Sequence, residues 1–577
     1  MLRRPLIRAS SFSFQLTRST ACVSAYRTVH TRSAVVTSPC GRHRVSPLTA
    51  ERCSRQRRQY LVAGQKNDTI YALSTAQGTA GIAVIRVSGP SCHEVYTGLC
   101  PGRPLPKARY ASVRTLFHPQ GDGSNVLDSS AMVLHLPGPK TVTGEDVLEL
   151  HVHGGSATVK AVLSAIAACH ASSGSIRYAE PGEFTKRAFL NDRLDLAQVE
   201  SLSDTLSAQT EQQRRAAVRG SNGALGRTYD EWRHKLLEAR AEIEAIIDFS
   251  EDQHFDESPT DLLANVSRQV EEILRGIEVH EGASQRSELL RNGIRIALVG
   301  PPNAGKSSLM NQIVGREASI VSGEAGTTRD IVEAHLDIRG YLCTFADTAG
   351  FRSDDSLGMP GSSSGGVIGA VEREGIRRAR AKALESDVIM VLASIERDSS
   401  GENSLFYDAE TLQLLKSVGK GMVVVNKCDG VPTDELEMLV DEFVATALGK
   451  AEGLPAKPML ISCKEAQAPT TQVQDPGGVH KVVSRLVTLF SDMTALPIDQ
   501  QDLHGVTERQ RQLLVQCRQH LEDYVGNTAS EDDMDELNFV VAAEDLRYAA
   551  NCLARITGRG ETGNVEEVLG VIFENRI

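Results

Sequence analysis

Nine residues, Gly300-Pro301-Pro302-Asn303-Ala304-Gly305-Lys306-Ser307-Ser308, carry the most specific chemistry in this chain. Gly, four residues and then Gly-Lys-Ser is the spacing of a loop that turns backbone N–H groups inward on phosphates. Such a loop feeds a helix N-terminus, where the dipole favours anions. Lys306 would reach the β- and γ-phosphates and the Ser307 hydroxyl would ligate Mg²⁺, with Asn303, Ala304, Gly305 and Ser308 completing the cradle. A chance Gly-rich turn is the alternative. Against it, IRIALV (294–299) reads as a buried parallel strand ahead of the loop, and a helical pattern begins at Ser308.

Four further elements follow in the order a guanine-nucleotide hydrolase needs. Gly326-Thr327-Thr328-Arg329-Asp330 lies about 20 residues past Lys306, where a switch loop supplies a Thr hydroxyl to Mg²⁺. Asp347-Thr348-Ala349-Gly350 follows a strand over 342–346; its Asp would hold Mg²⁺ through water, and the Gly350 N–H would sense the γ-phosphate. Asn426-Lys427-Cys428-Asp429 follows a strand over 422–425. A carboxylate at Asp429 can accept from both N1–H and N2–H of guanine, whereas adenine offers it an acceptor and no donor. Ser462-Cys463-Lys464 would back the guanine O6. The residue after Asp-x-x-Gly, where many such hydrolases carry a water-orienting Gln, is Phe351. Phe cannot orient water, so another polar group must. Glu372 is the candidate, a solvated helix face being the other reading, and Arg352, Arg373 and Arg377 all lie near enough in sequence to be an arginine finger.

The elements that must position these residues follow the hydrophobic pattern. Strand-like runs at 69–73, 82–87, 131–136 and 147–152, then a helix over 159–169, predict a compact α+β domain over 67–190. From Asp195 the period becomes helical. Leu196, Val199, Leu202 and Leu206 share one stripe, and longer stripes run through Leu236–Ile247 and Leu262–Ile277, giving a first helical part over 191–290. A polar linker is expected over 282–293, leading into the nucleotide domain over 291–495. Two late helices occupy 496–577: one capped by a Thr507/Gln510 box, the other over 534–557 and stopped by Gly558. With no domain of their own to bury against, they should pack on the helices before the nucleotide domain, making it an insertion in a discontinuous helical domain.

Composition narrows the function classes. No apolar run approaches the ~18 residues of a membrane span, and the 11 cysteines show neither metal nor disulfide spacing. His151 and His153, two apart on a strand, could serve a metal or only the strand and turn. Residues 1–60 hold 12 Arg and one acid, a net of +11, which leaves −23 for the rest of a chain whose total is −12. An Arg- and Ser-rich, acid-poor leader is the composition of a mitochondrial transit peptide, placed here over 1–62; a disordered basic tail is the alternative. The acidity of the remainder argues against general nucleic-acid coating, so RNA contacts would need local patches such as Arg214-Arg215-Arg219 or Arg377-Arg378-Arg380-Lys382, unless these are solvated helix faces.

With these residues assembled, the chain resembles the MnmE (TrmE) family of tRNA-modifying GTPases in its mitochondrial form. The resemblance rests most specifically on Asp68-Thr69-Ile70, GIAVIRVSG (81–89), TGEDVLEL (143–150), His153-Gly154-Gly155 and RYAEPGEFTKRAFLNDRLDLAQ (177–198). It implies a multidomain α/β and α architecture: an N-terminal α+β folate-binding and dimerisation domain, a discontinuous helical domain and an inserted Ras-like P-loop GTPase domain. It implies a one-carbon folate donor such as 5-formyl-tetrahydrofolate, held at positions matching Arg86, Glu149 and Arg193. In the GTPase domain it implies a switch loop contacting GTP through Ser322, Gly323, Glu324, Ala325, Gly326, Thr327 and Thr328. It also implies K⁺ ligated by Asn303, Ser322, Glu324 and Thr327, Mg²⁺ held by Ser307 and Thr328, and Glu372 orienting water beside Lys306, Thr328 and Gly350. Homodimerisation, an FAD-dependent MnmG-type partner, mitochondrial tRNA wobble uridine (position 34) as substrate and a location in the mitochondrial matrix are implied likewise. The competing expectations are a ribosome-assembly-type GTPase switch and a non-catalytic scaffold. Two departures from the family pattern stand out: a Ser/Gly-rich insertion over 353–370, and Glu574-Asn575-Arg576-Ile577 after Phe573 where the family carries a Cys-containing tail. Cys552, inside a late helix, does not replace that Cys.

Overall fold

The computed structural model describes residues 68–121, 124–249, 259–316, 318–320, 333–346, 383–397, 401–449, 457–467, 475–528 and 539–559. The leader, the switch loop 322–328, residues 347–350, Phe351, Arg352, the insertion 353–370, Glu372, Arg373, the basic cluster 377–382 and the C-terminal tail lie outside them.

The N-terminal part is a six-stranded sheet in the order β3-β4-β5-β2-β1-β6. Its strands are β1 (Thr69–Leu73), β2 (Ile82–Ser88), β3 (Ser112–Phe117), β4 (Val126–Leu136), β5 (Val147–His153) and β6 (Ile176–Tyr178). All neighbours run antiparallel except β1 and β6. Alternation explains the sheet: Ile85, Val87, Leu148, Leu150 and Val152 point into a core closed by α1 (Cys92–Leu99) and α2 (Ser156–Ala167). The strand expected at 131–136 begins earlier, at Val126, and α1, β3 and β6 had no clear periodic signal. Helix α3 (Glu183–Leu190) closes this part.

Helices α4 (Leu196–Ser207) and α5 (Glu211–Gly220) each open with a reciprocal capping box, Asp195/Gln198 and Thr210/Gln213. Then come α6 (Ala224–Phe249) and α7 (Pro259–Asn292). The polar linker expected over 282–293 is not there: α7 runs unbroken to Asn292. Ala283, Ser284, Ser287 and Leu290 are its buried face, and the Ser287 hydroxyl donates to Ala283 O and Leu503 O. Small polar residues on a buried helix face read as linker because they carry no hydrophobic signal.

The nucleotide part is a twisted sheet, β14-β13-β11-β7-β10-β9-β8, with β12 beside β11. Four adjacent pairs, β13 with β14, β11 with β13, β7 with β11 and β7 with β10, are parallel. The runs of β7 (Ile294–Val299), β11 (Val388–Arg397) and β13 (Gly421–Asn426) are almost wholly apolar because both faces are covered. The other strands are β8 (Ala318–Ile320), β9 (Glu333–Ile338), β10 (Tyr341–Ala346), β12 (Asn403–Phe406) and β14 (Met459–Leu460); the helices are α8 (Lys306–Arg316), α9 (Ala409–Val418), α10 (Thr433–Phe443), α11 (Cys463–Gln467) and α12 (Val479–Thr494).

Helices α13 (Glu508–Thr528) and α14 (Phe539–Thr557) return to the earlier helices. One core joins Tyr229, Leu236, Ile243, Val270 and Ile277 to Leu514, Leu521, Leu546 and Leu553, residues from either side of the nucleotide part. The Thr507/Gln510 box is only half made. Gln510 N donates to Thr507 Oγ1 (3.2 Å), but the Gln510 amide turns to Glu200 Oε2 (2.6 Å), because a buried carboxylate binds the amide better than a helix-end N–H that water can reach. Gly558 takes the left-handed conformation (φ 76°) that ends α14. Among the described residues no helix is long and apolar enough to cross a membrane.

Candidate functional site

The phosphate-type loop leaves the end of β7, and three of its residues hold conformations their types permit. Gly300 (φ 148°) passes so close to Leu392 O that any Cβ would collide with it. Asn303 sits in the left-handed region (φ 61°), which Asn tolerates better than most residues. Gly305 (φ 97°) lies against the Asn426 amide, where again no Cβ fits. Lys306 begins α8, placing Ser307 and Ser308 in its first turn among backbone N–H groups with no intrahelical acceptor. The Lys306 ammonium donates to Gly300 O (2.9 Å) and Pro301 O (2.8 Å). Burial lowers its pKa and Asp408, at the N-cap of α9, opposes that shift. Asp408 stands beside the loop by tertiary structure alone, and no sequence motif pointed to it.

The residues expected to read the base come from the ends of β13 and β14. Asn426 is buried and works with both ends of its amide: Nδ2 donates to Ala304 O (2.8 Å) and Oδ1 accepts from Cys463 N (3.1 Å). It therefore ties the phosphate-type loop to the 462–464 loop. Lys427 is left-handed (φ 65°) and its ammonium lies 3.1 Å from Glu396 Oε1. Asp429 accepts from Ser462 Oγ (2.8 Å), with Lys464 Nζ 3.5 Å from its other oxygen. Burial alone would raise its pKa; the Ser462 bond and Lys464 outweigh that and hold the carboxyl below its ordinary value. The Cys463 thiol is pushed by burial to about 11, so it stays a neutral thiol. Asn303, Ala304, Gly305, Lys306, Ser307, Ser308, Asn426, Lys427, Asp429, Ser462, Cys463 and Lys464 thus meet at the C-terminal ends of adjacent parallel strands, where open α/β sheets bind ligands. Ser322, Gly323, Glu324, Ala325, Gly326, Thr327, Thr328, Asp347, Thr348, Ala349, Gly350 and Glu372 lie outside the described residues.

In the N-terminal part, Arg86 on β2 and Glu149 on β5 are register partners. The guanidinium bonds Glu149 Oε1 through Nε (3.0 Å) and Nη2 (2.9 Å), and lies 5.9 Å from the Phe184 ring. Arg193 is held elsewhere, donating to Thr141 O (2.9 Å). Its loop is fixed by Asn191 on Thr143 O (2.7 Å) and by a set of ion pairs that sequence reading missed. Arg177 joins Asp68 and Glu183; Arg187 joins Glu183 and Glu145. His151 and His153 serve different carboxylates. His153 takes Asp128 through both its N–H and its ring (2.8 and 2.9 Å), and His151 lies 3.5 Å from Glu149.

Two family models match: the GTP-binding protein TrmE N-terminus over residues 69–193 and the MnmE helical domain over 196–575. The chain belongs to the MnmE (TrmE) family. Among similar proteins, the tRNA modification GTPase MnmE of Parvibaculum lavamentivorans is 37% identical, over 88% of this chain and 99% of that one. The mitochondrial 5-taurinomethyluridine tRNA synthase subunit GTPB3 of Danio rerio is 34% identical over 93% and 98%, and the mitochondrial tRNA modification GTPase mss1 of Schizosaccharomyces pombe 36% over 88% and 94%. Matching solved structures include the cytosolic domain of the T. maritima FeoB iron transporter, at 14% identity over 49% of this chain and 98% of that one; its TM-score of 0.19 supports no conclusion. The MnmE N-terminal and helical domains therefore flank a mixed α/β nucleotide-type sheet.

Proposed function

We propose that this chain is a mitochondrial tRNA modification GTPase. The observation that carries the reading is the Asn426 bridge: one buried amide joins the loop shaped for phosphates to the loop shaped for a guanine, beside an Asp429 kept ionised. The family membership and the names of its relatives supply the tRNA and the mitochondrion.

In this reading the N–H groups of the loop and first turn bind the β- and γ-phosphates, and Lys306 exchanges its two loop carbonyls for phosphate oxygens. Ser307 and Thr328 would hold Mg²⁺, which would supply charge neutralisation on the phosphates; the missing Cβ atoms at Gly300 and Gly305 let the loop pack tightly on Leu392 O and the Asn426 amide, which fixes its shape. Asp429 reads guanine N1–H and N2–H. Glu372 orients the attacking water, and Gly350 senses the γ-phosphate. Asn303, with Ser322, Glu324 and Thr327, holds K⁺ in place of an arginine finger. The 67–190 domain holds a formyl-tetrahydrofolate-type donor at Arg86, Glu149 and Arg193 and forms the homodimer. With an FAD-dependent MnmG-type partner the chain modifies C5 of the wobble uridine in the matrix, after loss of residues 1–62. The remaining proposed domains are helical over 191–290 and 496–577, with the GTPase domain over 291–495.

The test is GTP hydrolysis in matched KCl and NaCl, alongside mass analysis of wobble uridines in mitochondrial tRNA from cells lacking and regaining the chain. A large K⁺ preference that Asn303→Ala and Glu372→Ala abolish, with the uridine modification restored by wild type, is expected. Equal slow rates in both salts and unmodified uridines in the complemented cells would overturn the reading.

A further inference from the structure

Of the three arginines that the sequence offers as an RNA patch on α5, two share a single carboxylate. Arg214 and Arg215 both bond Glu211 at 2.8 Å, and the same two guanidiniums lower the exposed Glu211 carboxyl to about 2. Cations without such partners sit elsewhere. Residues 95–121 contain Arg103, Lys107, Arg109 and Arg114 and no acid, in a chain whose residues after 60 total −23. Arg103, Lys107 and Arg109 are exposed in the loop before β3, and Arg109 Nη2 donates to Lys140 O (2.5 Å), which brings exposed Lys140 to the same place. Among the described residues none of these four is ion-paired. The acids that follow Lys140 are occupied: Asp146 accepts from Gly138 N (2.8 Å), and Glu145 from Arg187 and Ser88.

Beside the cations stands an aromatic ring with no burial role. Tyr110 is 59% exposed, and Lys107 Nζ lies 4.5 Å from its ring centre. Unpaired cations around an exposed ring are what a single-stranded nucleic-acid segment requires: charges to neutralise phosphates and a flat face on which a base stacks. Arg109 (φ 64°) is pinned by its N–H to His135 O (2.8 Å), so the loop is held in shape before any ligand arrives. Charge placed merely to blunt the β3 edge strand would not need the ring.

We propose that Arg103, Lys107, Arg109 and Lys140, with Tyr110, form the tRNA-contacting surface of this chain, taking phosphates on the four cations and one unstacked base on the ring. The inference rests on the tRNA reading above and gives it a place. It is tested by binding of mitochondrial tRNA, across a series of salt concentrations, to the chain without residues 1–62, the proposed leader. The fourfold variant Arg103→Gln, Lys107→Gln, Arg109→Gln, Lys140→Gln should bind about 10- to 100-fold more weakly near 100 mM salt, with a log–log salt slope shallower by about 3. The double variant Arg103→Gln, Lys107→Gln, which keeps the Arg109–Lys140 bond, should show about half that change in slope. Tyr110→Leu should cost several-fold in affinity with the slope unchanged, Arg214→Gln with Arg215→Gln should have no effect, and GTP hydrolysis without tRNA should be the same in all. Wild-type binding and slope in the fourfold variant would overturn the proposal while leaving the tRNA reading intact. Loss of binding together with a halved mass in solution would also overturn it, making the patch a subunit contact. No binding by wild type would overturn the tRNA reading itself.

Discussion

The nucleotide-type loops and the Arg86–Glu149 pair are built by opposite means. The first is built mainly from backbone: two glycines with no room for a Cβ, left-handed Asn303 and Lys427, and Asn426 bonding main-chain atoms on both sides. The second is one cross-strand ion pair of a kind many antiparallel sheets contain. Backbone sites constrain residue type at fixed spacing, so they leave a signature in sequence. Side-chain sites constrain only what meets across the fold.

The comparison can be broken by substitution. Lys306→Ala should lower GTP hydrolysis about 10²–10³-fold, since Lys306 is the only charged side chain the loop itself supplies; single-turnover kinetics would show it. A smaller effect would mean that the loop N–H groups alone suffice. Arg86→Ala should weaken 5-formyl-tetrahydrofolate binding about tenfold, measured by calorimetry, and leave GTP hydrolysis unchanged. Equal damage to both ligands would mean the two sites are not independent. The smallest effect expected is that of pH. The Asp429 carboxyl is held below its ordinary 3.8, so any contribution it makes is complete above that value and lost only as pH falls through the lowered one. Guanine affinity measured at constant ionic strength should therefore stay level from about pH 7 to pH 5; a fall with a midpoint near pH 5 or 6 would place another group in control.

The same contrast explains what was legible in sequence. The strand–loop–helix around Lys306 and the loops at 426–429 and 462–464 were readable because motif and apolar run coincide there. So was the return of the late helices, which had no domain of their own to bury against; Leu513, Leu514, Leu521 and Leu546 lie in the shared core. Asp408 and Glu396 were not, because tertiary packing alone brings them to the site. The unbroken run of α7 to Asn292 was hidden by its buried face of Ala283, Ser284 and Ser287. Half of the Thr507/Gln510 box was lost to a contact 310 residues away, Glu200, that local spacing cannot show. The Arg86–Glu149 pair entered only through the family resemblance, since Arg opposite Glu on paired strands looks structural.

The central claim is that this site reads guanine through Asp429, and exchanging that one acceptor tests it most directly. Competition for the site by GTP, ATP and xanthosine triphosphate should show GTP alone binding wild type. Asp429→Asn should lose GTP by about 10²–10³-fold and gain the xanthine nucleotide, whose C2 carbonyl accepts where guanine donates. ATP competing on equal terms with GTP, or an Asn variant that keeps GTP affinity, would contradict the account.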